Sequence, residues 1–158
     1  MNEISAAMGL TNLESMDEFI SINRENYRLY QNQLSNIEGV SIVNYAETEK
    51  YNYQYVVLDI NSQITGLTRD ELVTILHAEN VLARRYFHPG CHQMEPYRSY
   101  FPHAGLLLPH TEQLSKRVLC LPTGTAVGEF EIKQICDLIH LALDGHEEIK
   151  LKLPTKPR

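Results

Sequence analysis

The feature that most constrains this chain is an apolar stripe running through its first third. Ile4, Met8, Leu13, Met16, Ile20, Tyr27, Tyr30 and Leu34 recur at steps near three and four, which places them on one face of a helix. A helix with such a face gains its stability by burying it against another element. Gly9 lies within the stripe, at a cost of about 1 kcal/mol relative to Ala. Asn36 and Gly39 supply helix-exit chemistry. The pattern predicts one long helix within residues 1–38. No capping residue or lead-in precedes Met1, so the chain reads as a segment entered in mid-helix.

After the helix the hydrophobic period changes. Val40 to Tyr45 reads as a short strand, and Tyr53 to Ile60 (YQYVVLDI) as a central one rich in β-branched and aromatic residues. Thr68 with Glu71 three residues on is a capping-box signature, and Leu72, Ile75 and Leu76 give the helix behind it an apolar face that ends at Asn80. Val81 to Phe87 (VLARRYF) is the next expected strand, stopped by Pro89-Gly90. Thr111 to Lys116 predicts a short helix and Val118 to Leu121 a buried strand. The last helix carries the stripe Phe130, Ile132, Ile135, Ile139 and Leu143. This order predicts an α+β fold: a small sheet of about four strands, helices packed on one face, and a long N-terminal helix in front. The small domain is expected over residues 39–144 and a flexible tail over 145–158.

Composition narrows the function classes. A chain of 158 residues with 43% hydrophobic and 22% charged residues suits one globular domain. The net charge is −6 and no basic block is longer than a pair such as Arg84-Arg85, which disfavours nucleic acid as a partner because such binding rests on Lys and Arg neutralising phosphates. No apolar run approaches the roughly 20 residues of a membrane span, and no secretory signal opens the chain. Cys91, Cys120 and Cys136 are odd in number and widely spaced, which fits a reducing compartment rather than a disulfide framework. A cytoplasmic protein with no membrane partner is expected.

Candidate chemistry concentrates between His88 and His110, where four of the seven Pro and four of the seven His fall. Such a long polar segment is where binding residues collect. His88, Cys91 and His92, with His103 and His110 downstream, invite a zinc reading. Their spacing matches no standard ligand motif and Pro89-Gly90 breaks any regular face, so no metal is expected. Arg84 and Tyr86 alternate along the expected strand with Arg85 and Phe87. Two arginines entering this loop suit a phosphate or carboxylate; the alternative is one solvated edge charge and one structural ion pair. The turn Leu121-Pro122-Thr123-Gly124-Thr125 offers amides and hydroxyls to an anion, or simply serves turn geometry. No nucleophile elbow or Cys–His signature is present.

Three ordered segments resemble the C-terminal domain of the DegT/StrS-type family of nucleotide-sugar aminotransferases. They are Met1-Asn2-Glu3-Ile4-Ser5-Ala6-Ala7-Met8-Gly9-Leu10 continuing to Tyr30, Ala83-Arg84-Arg85-Tyr86-Phe87-His88-Pro89-Gly90-Cys91-His92 followed by Pro96-Tyr97, and Thr111 through Pro122. The closing helix through Ile135-Cys136 matches as well. The resemblance implies the small domain of a fold type I enzyme that uses pyridoxal phosphate. Such an enzyme works as a dimer and moves an amino group, commonly from glutamate, onto a nucleotide-linked keto-sugar. It implies that the Schiff-base lysine and most cofactor contacts belong to a large N-terminal domain. Lys50, Lys116, Lys133, Lys150, Lys152 and Lys156 occupy no matching motif. No catalytic and no cofactor-binding residue is therefore expected in this chain, and no cofactor bound by it alone.

The same resemblance makes His92 the best match to a substrate-binding residue, with His88, Tyr86, Arg84 and Tyr97 beside it. Many relatives carry a shorter HYxPLH-like form where this chain has RYFHPGCH, which suggests a subgroup. The implied partners are an N-terminal cofactor-binding half, if separately encoded, and a nucleotide-sugar bound weakly. Ile4, Ala7, Met8 and Leu10 would be left facing water, which predicts a homodimer through residues 1–16. A reading from another class is a non-catalytic partner-binding module derived from this domain.

Overall fold

The computed structural model describes residues 2–46 and 48–152 of the chain. The first third is helical but interrupted: α1 spans Glu3–Glu14 and α2 spans Met16–Leu34. The interruption falls at Ser15, with φ −94° and ψ 0°, and not at Gly9. Gly9 stays helical inside α1 and meets no neighbour that its missing side chain would touch. Asn2 caps α1, its Oδ1 accepting from Ser5 N at 2.8 Å, a cap the apolar pattern does not reveal. The two halves of the stripe also differ in fate. No residue of α1 is buried, whereas Tyr27, Tyr30 and Leu34 of α2 enter the core.

Three strands form one antiparallel sheet in the order β1 (Val40–Ile42), β2 (Val56–Ile60), β3 (Val118–Leu121). The register pairs Val40 with Ile60 and Leu58 with Leu119. Along β2, Val56, Leu58 and Ile60 point into the core while Val57 and Asp59 face outward, the period-two alternation expected of a half-buried strand. Outward-facing Asp59 takes Arg117 in a two-point contact, Nε to Oδ1 and Nη2 to Oδ2, both 2.9 Å. Such a fork fixes the entry to β3.

The fourth expected strand, Val81 to Phe87, is not one. Among the described residues it makes a single bridge, in which Arg84 N donates to Cys120 O (3.0 Å) and Cys120 N to Arg84 O (2.8 Å). Two local bonds divert its start, from Val81 N to Leu76 O and from Ala83 N to Val81 O, both 2.8 Å. Asn80 sits just before them at φ +60°. Helix exit therefore claims the backbone groups that a ladder would need.

Helix α3 (Ser62–Thr65) and helix α4 (Arg69–Ala78) follow β2. The capping box at the start of α4 is complete: Thr68 Oγ1 accepts from Glu71 N (3.2 Å) and Thr68 N donates to Glu71 Oε2 (2.7 Å). Helix α8 (Glu129–Asp144) packs against α2 and α4. Ile132, Ile135, Cys136 and Ile139 of α8 join Tyr30, Leu58, Leu72 and Leu119 in the core. Burying side chains of this size stabilises by roughly 1.5–3 kcal/mol each.

The stretch read as a tail carries a further helix, α9 (His146–Lys152), and residues 153–158 lie outside the described residues. The His146 ring rests on Gly66, where a Cβ would come within 2.2 Å of it. Between Phe87 and β3 the chain forms a single 3-10 turn (Cys91–Gln93) and helices α5 (Tyr97–Tyr100), α6 (Ala104–Leu107) and α7 (Pro109–Ser115). This is the long polar segment that carries His88 to His110, and its short helices pack on one another.

Candidate functional site

The His-rich segment folds around His92. Its Nε2 lies 2.5 Å from Glu112 Oε1 on α7, and the Gln93 amide donates to the same oxygen. Both side chains are largely withdrawn from water, His92 at 10% and Glu112 at 21% exposure. The His92 contact, then the Gln93 contact, hold the Glu112 carboxyl below the usual carboxylate range, so Glu112 acts as an acceptor only. Gly90 makes room for the imidazole: a Cβ there would approach His92 Cε1 to 2.8 Å and Nδ1 to 3.0 Å. Lys116 stands at the rim, with Nζ 3.9 Å from Glu112 Oε2.

His92 is the wall between two open clefts of about 500 Å³ each. One is the more polar of the two, with Gln93, Arg98, Glu112 and Lys116 along it beside Phe101 and Leu106. The other is lined by Phe87, Cys91, Tyr97, Phe101 and Leu108, with His92 and Thr111 beside them, a mostly apolar surface with few polar groups, the usual make-up of a small-molecule site. Arg98 in the polar cleft is engaged by Glu95, Nη2 to Oε1 at 2.8 Å. Ser99 Oγ and Arg98 hold the Glu95 carboxyl below its ordinary range.

The five candidate residues separate. His92 and Tyr97 line the apolar cleft together. Tyr86 reaches it through Phe87, the two rings stacked with centroids 3.9 Å apart, while Tyr55 covers Tyr86 at 4.8 Å. Tyr86 and Phe87 therefore meet instead of occupying opposite faces of a strand, because residues 86 and 87 form a turn. The Arg84 side chain is exposed, with its backbone spent on the bridge to Cys120. Arg85 pairs with Asp70 at 2.7 Å. His88 is exposed, and its backbone N–H donates to Arg85 O at 3.4 Å. Glu112, Gln93 and Phe101 were not singled out from the sequence. Glu112 lies 20 residues from His92, a separation at which no local motif operates.

Several oxygens of the Pro122–Thr125 turn are engaged by α2. Asn26 Nδ2 lies 3.2 Å from Thr123 Oγ1, 3.2 Å from Gly124 O and 3.1 Å from Val127 O, and Thr123 Oγ1 donates to Asn23 Oδ1 at 3.2 Å. Glu131 caps the first turn of α8 by accepting from Gly128 N at 2.9 Å. The turn therefore docks α2. Lys50, Lys116, Lys133, Lys150 and Lys152 are all exposed, whereas a Schiff-base lysine needs its amine directed at a held cofactor. Among the described residues, no group of three or more His, Cys, Asp or Glu is placed to hold a metal ion. No helix among them is long and apolar enough to cross a membrane.

Fold and site together define a small α+β domain that presents a carboxylate-backed histidine beside an apolar cleft. The profile of the DegT/DnrJ/EryC1/StrS aminotransferase family matches residues 1–140, and the chain belongs to that family. Relatives include the dTDP-4-amino-4,6-dideoxy-D-glucose transaminase of Shigella dysenteriae, 33% identical over 122 residues, covering 77% of this chain and 32% of the relative. The Escherichia coli protein of the same name is 31% identical over 139 residues, covering 88% of this chain and 37% of the relative. The crystal structure of DesI in the presence of its TDP-sugar product is 43% identical with a TM-score of 0.88, covering 96% of this chain and 38% of DesI. The chain thus spans about a third of the length of the curated relatives it matches.

Proposed function

We propose that this chain is the small C-terminal domain of a pyridoxal-phosphate-dependent aminotransferase acting on nucleotide-linked keto-sugars. The Schiff-base lysine and the cofactor are supplied by polypeptide beyond these residues. The observation that carries the reading is the cleft shared by His92 and Tyr97, in the stretch that the family resemblance assigns to the sugar pocket. Support comes from relatives named for dTDP-amino-sugars. Phe87, Tyr97 and Phe101 offer flat apolar area to a sugar or base face, and His92 offers one hydrogen-bonding ring atom to a hydroxyl. Tyr86, through its contact with Phe87, backs that wall, and Arg84 and His88 are exposed.

Half a pocket binds weakly, because the cost of ordering is met by few contacts. Millimolar affinity at best is expected for a nucleotide-sugar on this chain alone, about 4 kcal/mol. The test is to mix the chain with a separately produced cofactor-binding half of a relative. Restored transamination supports the proposal; binding of the two halves without turnover refutes it and favours a non-catalytic module.

Helix α1 supplies the contact surface for that assembly or for a second copy. Ile4 is 73% exposed, and Met8, Leu10 and Leu13 are each 63% exposed, an apolar run that association would bury. Sedimentation should show self-association of the chain that an Ile4→Glu, Met8→Glu variant abolishes. A wild-type monomer at all accessible concentrations, with the amides of residues 4–10 protected from exchange, would refute this.

A further inference from the structure

We propose that Glu112, assisted by Gln93, is a positioning residue for His92, fixing the imidazole with its proton on Nε2 and presenting Nδ1 to ligand. The inference rests on the functional reading above for the ligand and on geometry alone for the ring. Glu112 Oε1 accepts from the Gln93 amide and stands 2.5 Å from His92 Nε2. An ionised carboxylate has no proton to give, so the imidazole nitrogen facing it has to be the donor. With the proton on Nε2, Nδ1 is the acceptor whenever the ring is uncharged, and among the described residues Nδ1 has no hydrogen-bond partner. Gly90 completes the arrangement, since any larger residue would press on the Cε1–Nδ1 edge. The other charges along this cleft, Lys116 and Arg98, are held near Glu112 and Glu95 respectively, which leaves Glu112 as the group that sets the ring. A histidine held by a carboxylate in this way loses ring-flip freedom and meets a ligand pre-oriented.

The experiment uses the whole chain with 15N-labelled histidine, in wild type, Glu112→Ala and Glu112→Gln. Wild type should show a downfield imidazole proton for His92, slow to exchange with water and coupled to Nε2. Glu112→Ala should lose it, and Glu112→Gln should keep it, because the amide oxygen still accepts. Titration with dTDP-4-amino-4,6-dideoxy-D-glucose as the probe should bind the alanine variant about tenfold more weakly, the size typical of removing an orienting carboxylate from behind a functional imidazole. The glutamine variant should recover most of that loss. A proton coupled to Nδ1, or one that survives Glu112→Ala, overturns the proposal, as does unchanged probe affinity in the alanine variant. Absence of probe-induced shifts over residues 84–97 in wild type overturns the functional reading instead, and the imidazole proton alone then decides whether Glu112 sets the ring. Histidine signals from His77, His140 and His146, remote in sequence from this cleft, serve as controls for a merely global disturbance.

Discussion

Asn26→Asp is the substitution that most sharply tests how the domain is held together. Asn26 is buried at 4% exposure, and its side-chain NH2 faces three oxygens, those of Thr123 Oγ1, Gly124 O and Val127 O, at 3.1–3.2 Å. Two hydrogens thus serve three acceptors, and they tie α2 to the turn that launches α8. Removal by Asn26→Ala leaves the two carbonyls without this donor, at about 1 kcal/mol each, for a total near 2 kcal/mol. Asn26→Asp costs more at neutral pH, about 3 kcal/mol or above, because an acceptor-only carboxylate is pressed against the same oxygens in a site of low polarity. Tyr30→Phe, which deletes the bond from Tyr30 Oη to Pro122 O at 3.0 Å, gives the scale of one neighbouring hydrogen bond, about 1 kcal/mol. Urea unfolding at neutral pH measures all three, with an unchanged denaturant dependence as the sign that the unfolded state is unaltered. An Asn26→Asp chain within about 0.5 kcal/mol of wild type, the range of an ordinary surface change, would refute the reasoning. The turn would then not depend on α2.

Two further outcomes follow from the core and its edges. Burial pushes the Cys120 thiol up to about 11 and the Cys136 thiol up to about 12, from 9.0. The folded chain keeps these protons where the unfolded chain has lost them, so stability is full below pH 9 and falls as pH rises toward 11, by up to about 1.4 kcal/mol per pH unit for each thiol. Denaturation midpoints between pH 8 and 10 check this, and a flat profile would contradict it. Gly66→Ala should destabilise by about 2 kcal/mol or more, since Gly66 has φ +74° and an added Cβ would lie 2.2 Å from the His146 ring. Pairing it with His146→Ala should relieve the collision and leave the cost of the backbone angle, and thermal unfolding of the double variant separates the two.

Local chemistry alone carried much of this domain. The stripe from Tyr27 to Leu34, the Thr68–Glu71 capping box, the alternation along Val56–Ile60 and the face of α8 each follow from residues a few positions apart, and each stands as the spacing predicts. The ordered motifs on α1 and α2, at residues 83–97 and at Thr111 to Pro122 marked the aminotransferase family. What only the tertiary structure decided depends on partners distant in the chain. Val81 to Phe87 has the composition of a strand, but β-propensity describes a side chain's fit to a pleated surface and does not reserve hydrogen-bond partners. Helix exit took those groups first, and one bridge to Cys120 remained. The apolar stripe likewise read as one continuous helix face, yet its two halves meet different surroundings: Tyr27, Tyr30 and Leu34 of α2 are buried, and no residue of α1 is. His92 was legible as a polar residue in a proline-rich loop, whereas the carboxylate behind it was not. Glu112 reaches it only because α7 folds back across Gly90, a position where the chain carries no Cβ. Spacing along a sequence encodes which face a residue occupies; which other face it meets is set when the elements pack.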